Sequence, residues 1–448
     1  MVRLNAQSKV WKHRGIQTAA VFMMSTALLA GCGSSSTSTN ATGSSGAGSS
    51  GTSSTKPVTI TFASGKDATG TVQLEIKKFE EENPNIKVNY IEEPQSSDEY
   101  HNQLVTKLSA GDNSIDVYAM DIIWPPEFGA AKWNLPLNQY FSKADLSAML
   151  PGPVQGDTYK GTLYAVPWFT DAGVLYYRKD ILDKAGIQPP KTFDELMKDA
   201  EKLKGQGGTQ YGFVFQAKQY EGLVCDYLEY LWGNGGDVLN KDGKVVIDSP
   251  NNLEATKFFV NLVKSDVVPK GIDTFMEEDA RRLFTEGKAV FMRNWPYAWS
   301  ISQGPESKVK GEVGMAPMPV GPHGTEPAAT LGGWNLGVNA NIKKDHVAAA
   351  IKFLKFMTSP EAQKLSAIKG SRLPILKETY KDADVLKVDP QFAQLYPVFI
   401  HAKPRPVSPV YPQISDSIQI NVHKAMLGEE TPEQALKTMQ DQISKLVK

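Results

Sequence analysis

Segments with strand and helix patterns alternate from residue 58 to residue 120. Alternating apolar and polar residues predict a strand at 58–63, and two further short strands are predicted at 86–91 and 116–120. Apolar residues at helical spacing predict one helix at 72–82 and another around Leu104 and Leu108. An order of strand, helix, strand, helix and strand is typical of an α/β fold, in which helices cover the faces of a sheet.

The length of the chain predicts more than one lobe. About 390 residues follow Lys56, which is more than a single hydrophobic core normally serves. Helical spacing recurs at 255–263, 348–357 and 432–447, and Thr192 with Glu195 three residues later predicts a capping box. We therefore expect a folded body with two lobes.

The charge balance and the motifs exclude several classes of protein. Lys and Arg number 48 and Asp and Glu number 49, for a net charge of -1 with no basic stripe, so nucleic acid is not an expected partner. The histidines, cysteines and carboxylates lack the spacing of a metal site, and no cofactor is expected. Residues 65–71 have the glycine spacing of a phosphate loop but lack its lysine, so we interpret them as a tight turn.

The N-terminal residues have the order of an export signal. A basic start precedes an apolar run at 19–30, and Leu29-Ala30-Gly31 leads directly to Cys32. We expect a lipoprotein signal peptide at 1–31 and a lipid on Cys32 that anchors the protein to the outer face of a bacterial cell membrane. The alternative is an ordinary signal peptide with an incidental cysteine. Residues 32–56 are rich in Ser, Gly and Thr, which predicts a flexible tether.

Cys225 is the only other cysteine, so no disulfide is expected within the body after processing. It lies in an apolar helical stretch without a histidine nearby in sequence. We interpret it as a small buried hydrophobic residue, with a catalytic thiol as the less favoured alternative.

Two aromatic segments lack the periodicity of a strand or a helix. Residues 293–299 read Arg-Asn-Trp-Pro-Tyr-Ala-Trp, and residues 331–335 read Leu-Gly-Gly-Trp-Asn. Large rings on turn-prone backbone either cover a core or line a cleft, and these two segments leave both interpretations open.

Two aspartates next to aromatic residues favour a cleft. Asp121 ends a predicted strand and precedes Trp124, and Asp171 follows Trp168 and Phe169. In open α/β folds, ligands bind at the carboxyl ends of strands, where a carboxylate can accept hydrogen bonds from sugar hydroxyls. Carbohydrate therefore suits this pairing, although either aspartate alone would be read as a loop cap. The acidic run at 277–279 is interpreted as a solvated helix start, with paired catalytic acids as the alternative.

Taken together, these segments resemble the solute-binding proteins of ABC sugar importers, close to the trehalose/maltose-binding branch. Residues 119–124, 171–180, 219–226, 293–299, 330–334, 404–406 and 411–413 carry the resemblance. It implies a two-lobe periplasmic-binding-protein fold of type II, with a hinge and a ligand cleft between the lobes. The implied N-terminal lobe is 57–170 plus 318–362, and the implied C-terminal lobe is 171–317 plus 363–448, with crossings near Asp171, near 313–319 and shortly after Pro360.

The resemblance also implies roles for individual residues. The implied ligand-binding residues are Asp121 and Asp171 for sugar hydroxyls, Trp295 and Tyr297 for stacking, Gly333 and Trp334 as the lining from the second lobe, and Glu221 and Arg372 as further candidates. Three places depart from the pattern. Residues 69–71 stand where an acidic residue is expected, and Tyr100-His101 and Leu376 stand where arginines are expected.

The function implied is that of a lipid-anchored, monomeric receptor that delivers a di- or oligosaccharide to the permease subunits of an ABC transporter. Such a receptor is not an enzyme. The leading alternative is a secreted glycosidase-like enzyme, because aromatic-lined clefts serve both classes. A third possibility is a receptor that informs a sensor kinase.

Overall fold

The computed structural model describes residues 56–447, so the predicted signal peptide, Cys32 and nearly all of the tether lie outside the described residues. The strands are β1 Val58–Gly65, β2 Ile86–Glu93, β3 Val117–Asp121, β4 Thr158–Tyr159, β5 Thr162–Leu163, β6 Ala165–Ala172, β7 Val174–Arg178, β8 Tyr211–Val214, β9 Ala289–Asn294, β10 Val313–Ala316 and β11 Leu331–Val338.

The helices cover both faces of the sheets that these strands form. They are α1 Thr71–Glu82, α2 Ser97–Ser109, α3 Pro125–Ala130, α4 Lys143–Ala148, α5 Pro151–Gly156, α6 Lys179–Ala185, α7 Phe193–Leu203, α8 Glu221–Gly233, α9 Pro250–Lys264, α10 Glu277–Thr285, α11 Ala298–Ser302, α12 Val347–Met357, α13 Pro360–Gly370, α14 Ala383–Val388, α15 Gln391–Ile400, α16 Tyr411–Leu427 and α17 Pro432–Leu446.

Two large sheets organise the described residues, and β4 and β5 pair as a separate two-stranded sheet. The first sheet has the order β2-β1-β3-β11-β6, in which β1 runs parallel to β2 and β3, and β11 runs antiparallel to β3 and β6. The second sheet has the order β10-β7-β9-β8, in which β7 is antiparallel to both of its neighbours and β8 is parallel to β9. The predicted α/β fold is confirmed, and the predicted strands and helices named above all form.

Each sheet has its own hydrophobic core. In the first, Phe62 packs against Phe353 of α12 with ring centroids 5.1 Å apart. In the second, Phe215 packs against Phe259 of α9 at 5.7 Å, and α16 and α17 cover the same cluster. Because apolar surface is buried separately around each sheet, the body has two lobes, which we call the N-terminal and the C-terminal lobe.

The chain passes between the lobes where strands of different sheets follow one another. β6 ends in the first sheet at Ala172 and β7 starts in the second at Val174, while β10 lies in the second sheet and β11 in the first. Gly173 makes the first passage possible, because a Cβ there would lie 1.9 Å from Glu229 Oε1 and 2.3 Å from Arg293 Nη2. The lobe boundaries expected from the sequence stay a prediction.

The helix starts show how local sequence sets the elements. Thr192 accepts a hydrogen bond from the backbone N–H of Glu195 at 3.2 Å, as the predicted capping box requires. The Glu195 carboxylate, however, accepts from the N–H of Lys191 at 2.7 Å instead of that of Thr192. The carboxylate thus satisfies the N–H just outside the helix, and the helix still begins at the predicted residue.

Cys225 lies inside α8 and is 3% exposed, which confirms the interpretation of a small buried residue. Burial raises the pKa of its thiol well above the usual range, so the thiol is not primed as a nucleophile. Across residues 56–447, we find no helix that combines the length and the hydropathy needed to cross a membrane.

Candidate ligand-binding cleft

A cavity of about 480 Å³ lies between the two lobes. Its volume falls in the range of small-molecule sites. The structure brings to its wall all eight residues predicted from the sequence, namely Asp121, Asp171, Glu221, Trp295, Tyr297, Gly333, Trp334 and Arg372. Their contact with a ligand stays a prediction, but their assembly in one place is a property of the fold.

Strand β11 collects the residues of the N-terminal lobe. It pairs Trp334 with Asp121 of β3 and Gly332 with Asp171 of β6. Because β11 is antiparallel to both neighbours, its first residues meet their carboxyl ends, which is the edge where ligands of α/β folds bind. The expectation that Gly333 and Trp334 line the second lobe is therefore wrong, since both belong to the first sheet.

Trp295 forms the facing aromatic wall from the C-terminal lobe. It follows the last residue of β9, and its backbone N–H donates to Asn294 Oδ1 at 2.8 Å. Its ring lies over the Arg293 guanidinium, 4.1 Å from Cζ to the ring centroid. A Cβ at Gly332 would lie 2.9 Å from this ring, so glycine lets the two lobes approach closely here. The ring is thus held in place before any ligand arrives.

Arg293 is in turn fixed by a buried polar cluster. It is 1% exposed and donates to Glu229 at 2.5 and 2.8 Å and to Gln216 at 2.6 Å, and its Nη1 lies 2.9 Å from Asp226. Although burial opposes its charge, Asp226 and Glu229 raise the pKa of the guanidinium above its usual range. The charge that supports Trp295 is therefore permanent.

Asp171 is a buried carboxyl group with unused hydrogen-bonding capacity. It is 8% exposed, and among the described residues its Oδ1 has no hydrogen-bond partner. Burial raises the pKa of Asp171 to about 8, and Arg372 and Arg293 only partly oppose this rise. A buried polar atom without a partner is costly, so a ligand hydroxyl that bonds to it removes that cost.

Arg372 connects the loop before α1 to the aromatic floor of the cavity. Its Nη2 lies 3.1 Å from Asp67 Oδ1, and its Cζ lies 4.9 Å from the Trp168 ring centroid and 4.6 Å from that of Phe169. Burial raises the pKa of the neighbouring Glu75 to about 7, although Arg372 opposes the rise. The guanidinium is thus held between the loop before α1 and these two rings at the wall of the cavity.

The loop at 65–71 is the predicted turn, and it also lines the cavity. Asp67 accepts the N–H of Val72 at 2.8 Å and that of Thr69 at 3.0 Å, which closes the turn at the start of α1. Asp67, two positions before residues 69–71, is the acidic residue that this loop brings to the cavity wall. Sequence reasoning missed it because the turn accounted for the aspartate without a site.

Arg405 was also missed, although residues 404–406 were part of the resemblance. It is buried and bridges the lobes, with Nη2 at 2.9 Å from Asp121 Oδ1 and Nη1 at 2.7 Å from Glu221 Oε1. Tyr411 and Ser415 also donate to Glu221. Both Glu221 oxygens thus have hydrogen-bond partners. In the sequence, the prolines on either side of Arg405 were the local signal that its backbone is held rigidly.

The interpretation of residues 277–279 as a solvated helix start is wrong for two of them. Glu277 and Glu278 line the cavity. Glu277 accepts from Gln216 at 2.7 Å, and Glu278 accepts from the Tyr297 hydroxyl at 2.8 Å. The reason is tertiary, because α10 starts beside the end of β9, where Asn294 donates to the backbone carbonyl of Glu277 at 3.1 Å.

At the other two departures, Tyr100 supports a ring of the cavity wall, and His101 and Leu376 lie elsewhere. The Tyr100 ring stacks on Trp334 with centroids 6.0 Å apart, and its hydroxyl donates to the Ala63 carbonyl at 3.1 Å. His101 lies 2.6 Å from Glu127, and Leu376 is buried beside Met149. None of the three is among the lining residues of the cavity.

Two α/β lobes with an aromatic and acidic cavity between them define a two-lobed ligand receptor. The chain belongs to the family of bacterial extracellular solute-binding proteins, whose family model matches residues 63–364.

Relatives match over most of the chain. A probable ABC transporter-binding protein of Deinococcus radiodurans is 38% identical over 87% of this chain and 94% of its own length. The structure of maltose-bound MalE3 of T. maritima superposes with a TM-score of 0.84 at 45% identity, covering 87% of this chain and 100% of that one. A maltotriose-binding protein of Pyrococcus abyssi is 28% identical over 73% of this chain and 68% of its own length. The predicted resemblance to the maltose-binding branch is confirmed.

Proposed function

We propose that this protein is the sugar receptor of an ABC importer and delivers a di- or oligosaccharide of the maltose or trehalose type to the permease. One observation carries the proposal: the interlobe cavity joins exposed ring faces to a buried carboxyl oxygen that has no partner among the described residues. The names of the relatives, which include a maltose-bound receptor and a maltotriose-binding protein, point the same way.

The cavity chemistry suits a neutral sugar. The C–H faces of a pyranose ring pack on Trp295 and Trp334, while hydroxyls bond to Asp171 and Asp121. Arg405 holds Asp121 by an ion pair at 2.9 Å, so the carboxylate is oriented before the sugar binds. A sugar without the matching hydroxyl leaves a buried acid unpaired and is rejected for that reason.

Binding proceeds by hinge closure in this proposal. The sugar binds residues of one lobe in an open form, and closure buries it against the other lobe. Moving the equilibrium from 1:99 to 99:1 needs about 5.5 kcal/mol of extra affinity for the closed form. Stacking on both walls together with the hydrogen bonds to Asp121 and Asp171 supplies that difference.

Calorimetric titration with maltose, trehalose, sucrose and maltotriose tests the function. We expect at least one α-linked glucose sugar to bind with a Kd of about 1 μM or tighter, which corresponds to about -8 kcal/mol. Unchanged sugar should be recovered from the complex after long incubation. Hydrolysis products would instead favour the glycosidase alternative, which the family match does not support.

A membrane anchor at Cys32 is a separate part of the proposal. Two or three acyl chains, at about 0.8 kcal/mol for each buried CH₂, hold a protein stably on a bilayer. We expect wild-type protein in the membrane fraction of cells and Cys32→Ser protein in the soluble extracellular or periplasmic fraction. If the Cys32→Ser variant stays with the membrane, the lipid anchor is ruled out, while the calorimetric test of sugar binding is unaffected.

A further inference from the structure

A continuous hydrogen-bonded chain joins the lobes along one side of the cavity. It begins and ends on the N-terminal lobe, at Asp98 of α2 and Asp121 of β3. Between them, Gln419 donates to Asp98 Oδ2 at 3.2 Å and to Ser415 Oγ at 2.9 Å. Ser415 donates to Glu221, and Arg405 links Glu221 to Asp121. The chain in order is Asp98, Gln419, Ser415, Glu221, Arg405 and Asp121.

Asp98 lies across the lobe interface from two acids, Glu221 of α8 and Asp416 of α16. Its carboxylate also accepts the backbone N–H of Glu221 at the start of α8, which partly opposes the effect of those acids. His101 of the same helix faces Asp416 and is paired with Glu127 of α3 at 2.6 Å. Arg405 neutralises Glu221 and Asp121 but donates no bond to Asp98.

Closure brings α8 and α16 of the C-terminal lobe against Asp98. In the closed arrangement, burial and then Glu221 raise the pKa of Asp98 to about 7. Separation of the lobes removes α8 and α16 from Asp98 and returns its carboxyl group to water, where an aspartate has a pKa of about 3.9. A neutral carboxyl group still accepts the Gln419 N–H, so protonation keeps the hydrogen bond and removes the repulsion.

We propose that this chain is a closure latch and that Asp98 takes up a proton when the lobes close. The proposal rests on the function proposed above, because closure is driven there by sugar. It makes the receptor bind more tightly as the medium becomes more acidic and release more readily as it becomes more alkaline.

The direction follows from linkage. A group with a higher pKa in the closed form binds protons preferentially in that form, so acid favours closure. The gain in affinity is complete at pH values below the pKa of Asp98 in the open form. It is lost at pH values above the pKa of Asp98 in the closed form. For a closed-state pKa of about 7, this linkage strengthens the affinity about tenfold between pH 8 and pH 6.

The test is calorimetric titration of the full chain with maltose at pH 7, in two buffers of different ionisation enthalpy, so that protons taken up on binding are counted. Wild-type protein should take up about half a proton more than Asp98→Asn protein, because a group titrating near pH 7 is half protonated there. The Asp98→Asn variant should also lack the roughly tenfold gain in maltose affinity that Asp98 gives wild-type protein between pH 8 and pH 6. Glu99→Gln, which changes an exposed acid in the same helical turn, should behave as wild type.

Asp171 and Glu75 can also take up protons on binding, but they are present in wild-type protein and in both variants. Their contribution therefore cancels when the variants are compared, and the difference reports on Asp98. If maltose and the other sugars of the panel fail to bind to wild-type protein, the proposed function fails. If maltose binds but wild-type and Asp98→Asn proteins take up equal numbers of protons, the latch is overturned.

A second measurement avoids the variant altogether. The ¹³C NMR shift of the Asp98 carboxyl group is followed against pH in wild-type protein, with and without saturating maltose. A pKa that rises on adding maltose supports the latch, and an unchanged pKa contradicts it.

Discussion

Replacing Arg293 with methionine is expected to lower the free energy of unfolding by about 3 to 5 kcal/mol. The substitution leaves Glu229, 1% exposed, and Asp226, also 1% exposed, without the cation that balances them. Breaking a buried ion pair from one side is costly because the remaining charges stay out of water. Urea denaturation followed by circular dichroism measures the change.

A matched control is Arg282→Met. Arg282 also pairs with an acid, Asp279, at 2.6 Å, but its side chain is 61% exposed. Exposed pairs contribute about 1 kcal/mol or less, so this variant should unfold close to wild type. Equal small losses in both variants would show that the buried cluster around Arg293 is not structurally important.

Removing the Trp295 ring is expected to weaken sugar binding by about 2 to 4 kcal/mol, or roughly 30- to 1,000-fold in Kd. The ring lines the cavity and is held between Arg293 and Gly332, so a sugar stacks on it without first ordering it. Calorimetric titration of Trp295→Ala protein with maltose gives the loss directly.

Trp133→Ala is the control for a general effect of losing tryptophan. The Trp133 ring packs against Phe128 with centroids 5.4 Å apart and is not among the residues that line the cavity. Its removal should lower stability and leave Kd unchanged. A Kd for Trp295→Ala equal to that of wild type would refute the stacking role.

The elements that the sequence predicted well are those that local interactions decide. Strand β1 and helix α1 form within two residues of their predicted limits, because alternation, helical spacing and a following proline act over a few residues. The pairing of Asp121 and Asp171 with neighbouring aromatic residues likewise led to the cavity wall. Both kinds of inference use contacts that are short along the chain.

The sequence predicted the cavity-lining residues less well where an acidic residue also had a local structural role. Asp67 caps a turn and Glu277 starts a helix, and each of these roles explained the residue without a cavity. Gly333 and Trp334 were expected to line the second lobe, although the implied bounds put residues 318–362 in the N-terminal lobe, because the strand order of a sheet is not written in any one strand.

The sequence by itself therefore determined the α/β elements and the types of residue that line the interlobe cavity. Only the tertiary structure decided which charges meet. Asp67 and Arg372 are 305 residues apart, Arg405 is 284 residues from Asp121 and 184 from Glu221, and each pair is in contact. Side-chain bonds over such separations depend on how whole lobes pack, because local propensity acts only between residues close along the chain.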